Sequence, residues 1–167
     1  MKKIISILIA VMMMASAFSM ATSAEEQTGD YYLSLLQVGN NMLFVNGIGT
    51  QIDENNHEIV PVQDEEGNIL VPLRMVVGTV GGWIDWVEET DSVIINYNGV
   101  DISFVMNSSE VKVGDETVKL SVAPYTIQDR TVVPLDFFTE CMKGNTQFDK
   151  ETNTIMLAFL TKVYAAG

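Results

Sequence analysis

One segment of this chain occurs twice, and the repetition limits what it can fold into more than any other feature. VPLRMV at Val71–Val76 returns as VPLDFF at Val133–Phe138, 62 residues on. The register then holds without a gap: Gly82 matches Gly144, Trp86 matches Phe148, Glu89-Thr90 match Glu151-Thr152, and Val93-Ile94-Ile95 match Ile155-Met156-Leu157. A fixed offset kept over this length marks an internal repeat, so each half should hold the same small supersecondary unit. Upstream, FVNG at Phe44–Gly47 resembles KVGD at Lys112–Asp115, but six more residues separate it from its VPL motif. The surplus is placed in IDENNHEIVPVQDEEGN, where Asp, Glu, Asn and Gly crowd as they do in exposed turns.

The unit reads as antiparallel strands around a short helix. Asn98-Gly99 lies between VIINY and VDISFVM, the pair that favours a two-residue type I′ hairpin. EVKV and ETVKL should close around Gly114-Asp115, and VPVQ and ILVPL near Gly67-Asn68. Pro72 and Pro134 suit a first helical turn, where a missing N–H costs nothing. Leu73, Val76, Val77 and Val80 then recur at helical spacing, as do Leu135, Phe138 and Met142, before stops at Gly81-Gly82 and Lys143-Gly144. The expected fold class is α+β: two tandem repeats, each a small antiparallel β-sheet packed on a short α-helix, over residues 42–106 and 107–161. Residues 25–41 form an extension belonging to neither repeat, apolar enough at Tyr31, Tyr32, Leu33, Leu35 and Leu36 to pack as a helix or leading strand; 162–167 form a tail.

LFVNG, NILVPLRMVVGTVGGWIDW and ETDSVIINYNG together resemble the copper amine oxidase N-terminal-like domain, or stalk domain, in two tandem copies across about residues 42 to 160. The resemblance implies small antiparallel sheets packed against a helix, on secreted and surface proteins of Gram-positive bacteria. It does not imply amine oxidase chemistry, since copper and quinone belong to a separate catalytic domain. A copper site needs several imidazoles, and His57 is the only histidine.

Lys2 and Lys3 precede an apolar run, Ile4–Met20, followed by small residues through Ala24. This is the pattern of a signal peptide cleaved after Ala24, giving a secreted or envelope-associated chain with no membrane span after cleavage. With 22 acidic residues against 9 basic ones the net charge is −13, which argues against nucleic acid or anionic lipid as partner. Cys141 is the only cysteine, so no intrachain disulfide forms, and its neighbours Phe138 and Met142 suggest a buried thiol.

No catalytic constellation emerges, and the expected class is a non-enzyme. His57 sits in a polar turn with no matched nucleophile, and GTVGG closes a helix where a phosphate cradle would open one. Calcium is the one cofactor considered, with Asp64, Glu65 and Glu66 as weak ligands; their spacing is not that of an EF-hand, and a solvated turn is the plainer reading. The binding-patch residues are Trp83 and Arg74. Trp83 and Trp86 are read as presenting both indoles to one side of a strand, with Phe148 at the matching place arguing that Trp86 is core. Asp136 replaces Arg74 in the second repeat, and the plain alternative for Arg74 is an ion pair with a carboxylate such as Asp85. The function that follows is a binding or scaffold module of the cell envelope, with a wall polymer or extracellular protein as partner. A structural stalk without its own ligand, or a secreted hydrolase, are the alternatives.

Overall fold

Asn98 (φ 53°) and Gly99 (φ 74°) both adopt left-handed backbone, as a type I′ turn requires, and join β7 (Ser92–Tyr97) to β8 (Val100–Val105). This hairpin is the middle of a five-stranded antiparallel sheet in the computed structural model, which describes residues 29–162. On one side of it lies β6 (Trp83–Val87); on the other lie β9 (Glu110–Val113) and β10 (Glu116–Lys119), closed at Gly114. The leader assigned to residues 1–24 lies outside the described residues.

A second five-stranded sheet joins the two ends of the described chain. Its order is β13 (Asn145–Asp149), β14 (Thr154–Lys162), β1 (Gly29–Gln37), β2 (Met42–Val45) and β3 (Ile48–Gln51). β1 and β14 pair antiparallel in unbroken register from Gly29↔Lys162 to Gln37↔Thr154. The apolar extension is thus an interior strand, one of the two outcomes open to it. Its alternation explains the choice: Ser34 and Leu36 are buried on the inner side, with the odd positions on the outer side.

A four-stranded sheet lies between these two in the chain, ordered β11 (Tyr125–Ile127), β12 (Arg130–Pro134), β5 (Ile69–Pro72) and β4 (Val62–Gln63). Its central contact is β5 against β12, with Val71 opposite Val133. Every residue from Ile69 to Pro72 is buried, the continuous apolar pattern of a strand covered on both faces.

The fold is α+β and mainly β. It differs from the expectation of two self-contained repeats, because all three sheets mix strands from before and after residue 107. β8 pairs with β9 across the expected boundary at residues 106 and 107, and β14 finds its neighbour in β1.

α1 (Leu73–Thr79) is the one α-helix among the described residues, and Leu73, Val76, Val77 and Val80 form its buried face. Pro72 precedes the helix as the last residue of β5, one position earlier than the first-turn reading. The second helical segment is a π-helical turn, Phe137–Cys141, where the adjacent rings of Phe137 and Phe138 are both wholly buried. Edge-to-face ring contacts run from Phe104 to Phe137, Phe138, Phe159 and Tyr97 at centroid separations of 5.6–6.2 Å, linking the two five-stranded sheets through that turn. A single apolar cluster contains Leu43 and Leu157, Ile95 and Ile102, Val71 and Val133, and Val77, so the sheets share one core. No helix of the described residues is long and apolar enough to cross a membrane.

Candidate functional site

The six extra residues of the first half fall in the loop between β3 and β4, and this loop makes one wall of a groove of about 550 Å³. Ile52 and Ile59 are buried at its ends, which gives a polar segment apolar feet. Between them Asp53 Oδ1 accepts the N–H groups of Asn55 (2.9 Å) and Asn56 (3.0 Å), tightening the loop into a turn. Asp53 Oδ2 accepts from Arg130 Nε, the single ion pair among the described residues. That guanidinium holds the Asp53 carboxyl below the ordinary carboxylate range, and the two backbone donors act in the same direction. Gln128 ties the loop down further, accepting from Asn56 Nδ2 at 3.1 Å and donating to Glu58 at 3.0 Å.

The hairpin of β11 and β12 supplies Thr126, Asp129, Arg130 and Thr131 to the groove, the start of α1 supplies Arg74, and β6 supplies Ile84, Asp85 and Trp86. Arg74 is exposed and makes no ion pair. The expected Arg74–Asp85 pair is not formed; Asp85 Oδ1 instead accepts the backbone N–H of Trp86 at 2.9 Å.

Trp83 and Trp86 do not share a face. A strand alternates with period two, so a spacing of three sends them to opposite sides. Trp86 lines the groove at 39% exposure; Trp83, at 57%, does not line it and lies opposite Asn96 in the ladder. The patch expected from Trp83 and Arg74 is therefore not assembled, and the tryptophan beside Arg74 is Trp86, which is not core. Period-two counting would have found it in the sequence.

At the matching place in the other half the corresponding side chains are engaged elsewhere. Asp136, in the position of Arg74, accepts the Ser121 N–H through Oδ2 at 2.7 Å, and its buried Oδ1 has no partner. Phe148, in the position of Trp86, packs against the core. The residues at these two positions in the first half, Arg74 and Trp86, both line the groove.

The acidic turn at Asp64–Asn68 is closed on itself. Asp64 accepts the Asn68 N–H through Oδ1 (2.7 Å) and the Asn68 side-chain amide through Oδ2 (2.8 Å), which lowers its carboxyl below the usual range. Glu65 and Glu66 are exposed, and no group of three potential metal ligands converges among the described residues. His57 is exposed in the β3–β4 loop and does not line the groove. Cys141 is buried, and burial first, then the nearby Asp136 carboxylate, pushes its thiol up to about 12, far from the nucleophilic range.

The fold and this groove define a β-rich module with a solvent-facing recess lined by an indole, an unpaired guanidinium and carboxylates. The chain belongs to the copper amine oxidase N-terminal domain family, whose model matches residues 50–157. The N-terminal domain of this family is non-catalytic. No curated protein and no solved structure gives a significant match to the chain.

Proposed function

We propose that this protein is a secreted, non-catalytic binding module of the bacterial cell envelope, that it consists of two interleaved copies of one unit, and that its ligand sits in the groove between Arg74 and Trp86. The observation that carries the proposal is the asymmetry of the groove. Where the halves could be alike, Arg74 and Trp86 line an open recess walled by the longer loop, while Asp136 and Phe148 are tied into the body. An exposed indole beside an unpaired guanidinium is a common recognition surface, since both pair an apolar face with directed polar groups.

The ladder registers support the two-copy reading. Ser34↔Val45 between β1 and β2 corresponds to Ile102↔Val113 between β8 and β9, both residues displaced by 68. Gln37↔Thr154 corresponds to Ser92↔Val105, with Gln37 and Val105 68 residues apart and Ser92 and Thr154 62 apart, the offset of the VPL segments. The copies are then β1–β7 and β8–β14, each giving its last strand pair to the sheet begun by the other. Envelope location rests on the leader pattern of Lys2–Ala24 and on family membership.

The test is co-sedimentation of the secreted chain with isolated Gram-positive cell walls, with and without a calcium chelator. Wild type and Trp83→Ala should sediment alike, while Trp86→Ala and Arg74→Ala should stay in solution. Equal sedimentation of all four, or of none, would reject the groove as the seat of wall binding.

A further inference from the structure

We infer that the occupant of the groove is an extended polypeptide segment carrying basic side chains, bound as an added strand along the open edge of β6; this rests on the groove being the ligand seat. β6 is the terminal strand of its sheet, and three of its five residues line the groove. Its backbone polarity follows from two hydrogen bonds. The Gly82 N–H donates to the Val77 carbonyl at 2.9 Å, and the Trp86 N–H donates to its neighbour's carboxylate. The even-numbered residues therefore turn away from β7, which leaves the Ile84 N–H and the Ile84 and Trp86 carbonyls on the open side. These are the groups an incoming strand pairs with.

Asp85 acts as a stand-in, since its Oδ1 occupies the N–H that an arriving carbonyl would take. A charged residue on an open edge commonly guards it against pairing with copies of itself. Side chains of the added strand on the same face as Trp86 enter the groove. Five residues of β6 present about 17 Å of edge, enough for four or five ligand residues.

Charge selects the sign of the ligand. Asp85, Asp91 and Asp129 line the groove, Arg130 is already matched by Asp53, and Arg74 is the single unmatched cation there. With the whole chain at −13, a basic segment is attracted from solution and an acidic one repelled. At the terminal strand of the other five-stranded sheet, β13, Phe148 packs against the core and Asp136 is bonded to Ser121.

The experiment pans a displayed library of random nonapeptides against the full chain and against its Trp86→Ala variant, then titrates synthetic versions of the selected peptides by tryptophan fluorescence. Selected sequences should be rich in Lys, Arg and strand-forming residues. Their affinity should fall at least about tenfold with Trp86→Ala or with N-methylation of alternate peptide amides, and be unmoved by Trp83→Ala. Raising salt from about 50 to about 500 mM should weaken binding several-fold. Selection of no peptide, selection of acidic peptides, or equal binding of the N-methylated form would overturn strand addition. If protein-free walls still retain the chain through Trp86 while no peptide is selected, the groove stands with a polymer ligand and this inference fails; if neither binds, the groove reading falls as well.

Discussion

Val71 and Val133 occupy the same place in the two VPL motifs and lie directly opposite each other where β5 meets β12. Both are wholly buried, and their flanking pairs, Pro72↔Val132 and Leu70↔Pro134, are symmetric about them. The motif recurs because each copy is the partner strand of the other. Truncating either valine to alanine should cost about 2–3 kcal/mol by chemical denaturation, as a buried cavity does. The double variant should depart from the sum by at least about 0.5 kcal/mol because the two sites touch. Strict additivity would show that the pair does not act as a unit.

Removing β1 should abolish folding. Its nine residues separate β14 from β2, so without them both strands lose their ladders and Leu36 leaves the core. A chain starting at Asn40 should lack a cooperative thermal transition in circular dichroism; a transition at the wild-type temperature would show that β14 and β2 can manage without it.

Gly144 sits so close to Phe159 that a Cβ there would lie 2.5 Å from the ring. The ring itself is held edge-on by Phe138 and Tyr97. Gly144→Ala should therefore destabilise by about 1–3 kcal/mol through overpacking, read from a denaturation midpoint, whereas Gly39→Ala meets no neighbour and acts only through its left-handed backbone.

Acid should loosen the groove wall before the core. The Asp53 carboxyl is held below its unfolded value by Arg130, so its contribution is whole above about pH 4 and is lost as pH falls through the folded value. Melting temperatures of wild type and Asp53→Asn should differ at about pH 6 to 7 and converge in acid below the folded value. A gap that persists at the lowest pH would mean that the ion pair is not its source.

Cys141 should resist iodoacetamide at pH 8 in the native protein and react at once in denaturant, since its thiol is buried and pushed up to about 12. Native labelling at the denatured rate would place it on the surface.

The hairpins and α1 were legible in the sequence because each rests on short-range chemistry: Asn98-Gly99 for a turn, and the Leu73, Val76, Val77, Val80 spacing for a helix. Which strands share a sheet was not, because the pairing of β14 with β1 joins residues more than 115 positions apart and leaves no local mark. The recurring VPL segment was visible, yet recurrence alone does not say which strands pair. The groove was half visible. Arg74 stood out by its contrast with Asp136, but the longer loop read only as an exposed turn, and its role as a wall depends on Asp53 meeting Arg130 from the other half.

The β1–β14 ladder has a mechanical consequence. Gly29 and Lys162 are paired neighbours, so tension applied between the two ends pulls at one end of the ladder and opens its hydrogen bonds one after another. Each bond contributes about 1 kcal/mol net, and serial opening meets them singly instead of together. Stretched from both ends, the body yields at low force, peeling the sheet from its middle outward. Tethered by one end alone, it carries no load through that ladder. A fold with its seam in this place is poorly suited to bear tension applied between Gly29 and Lys162.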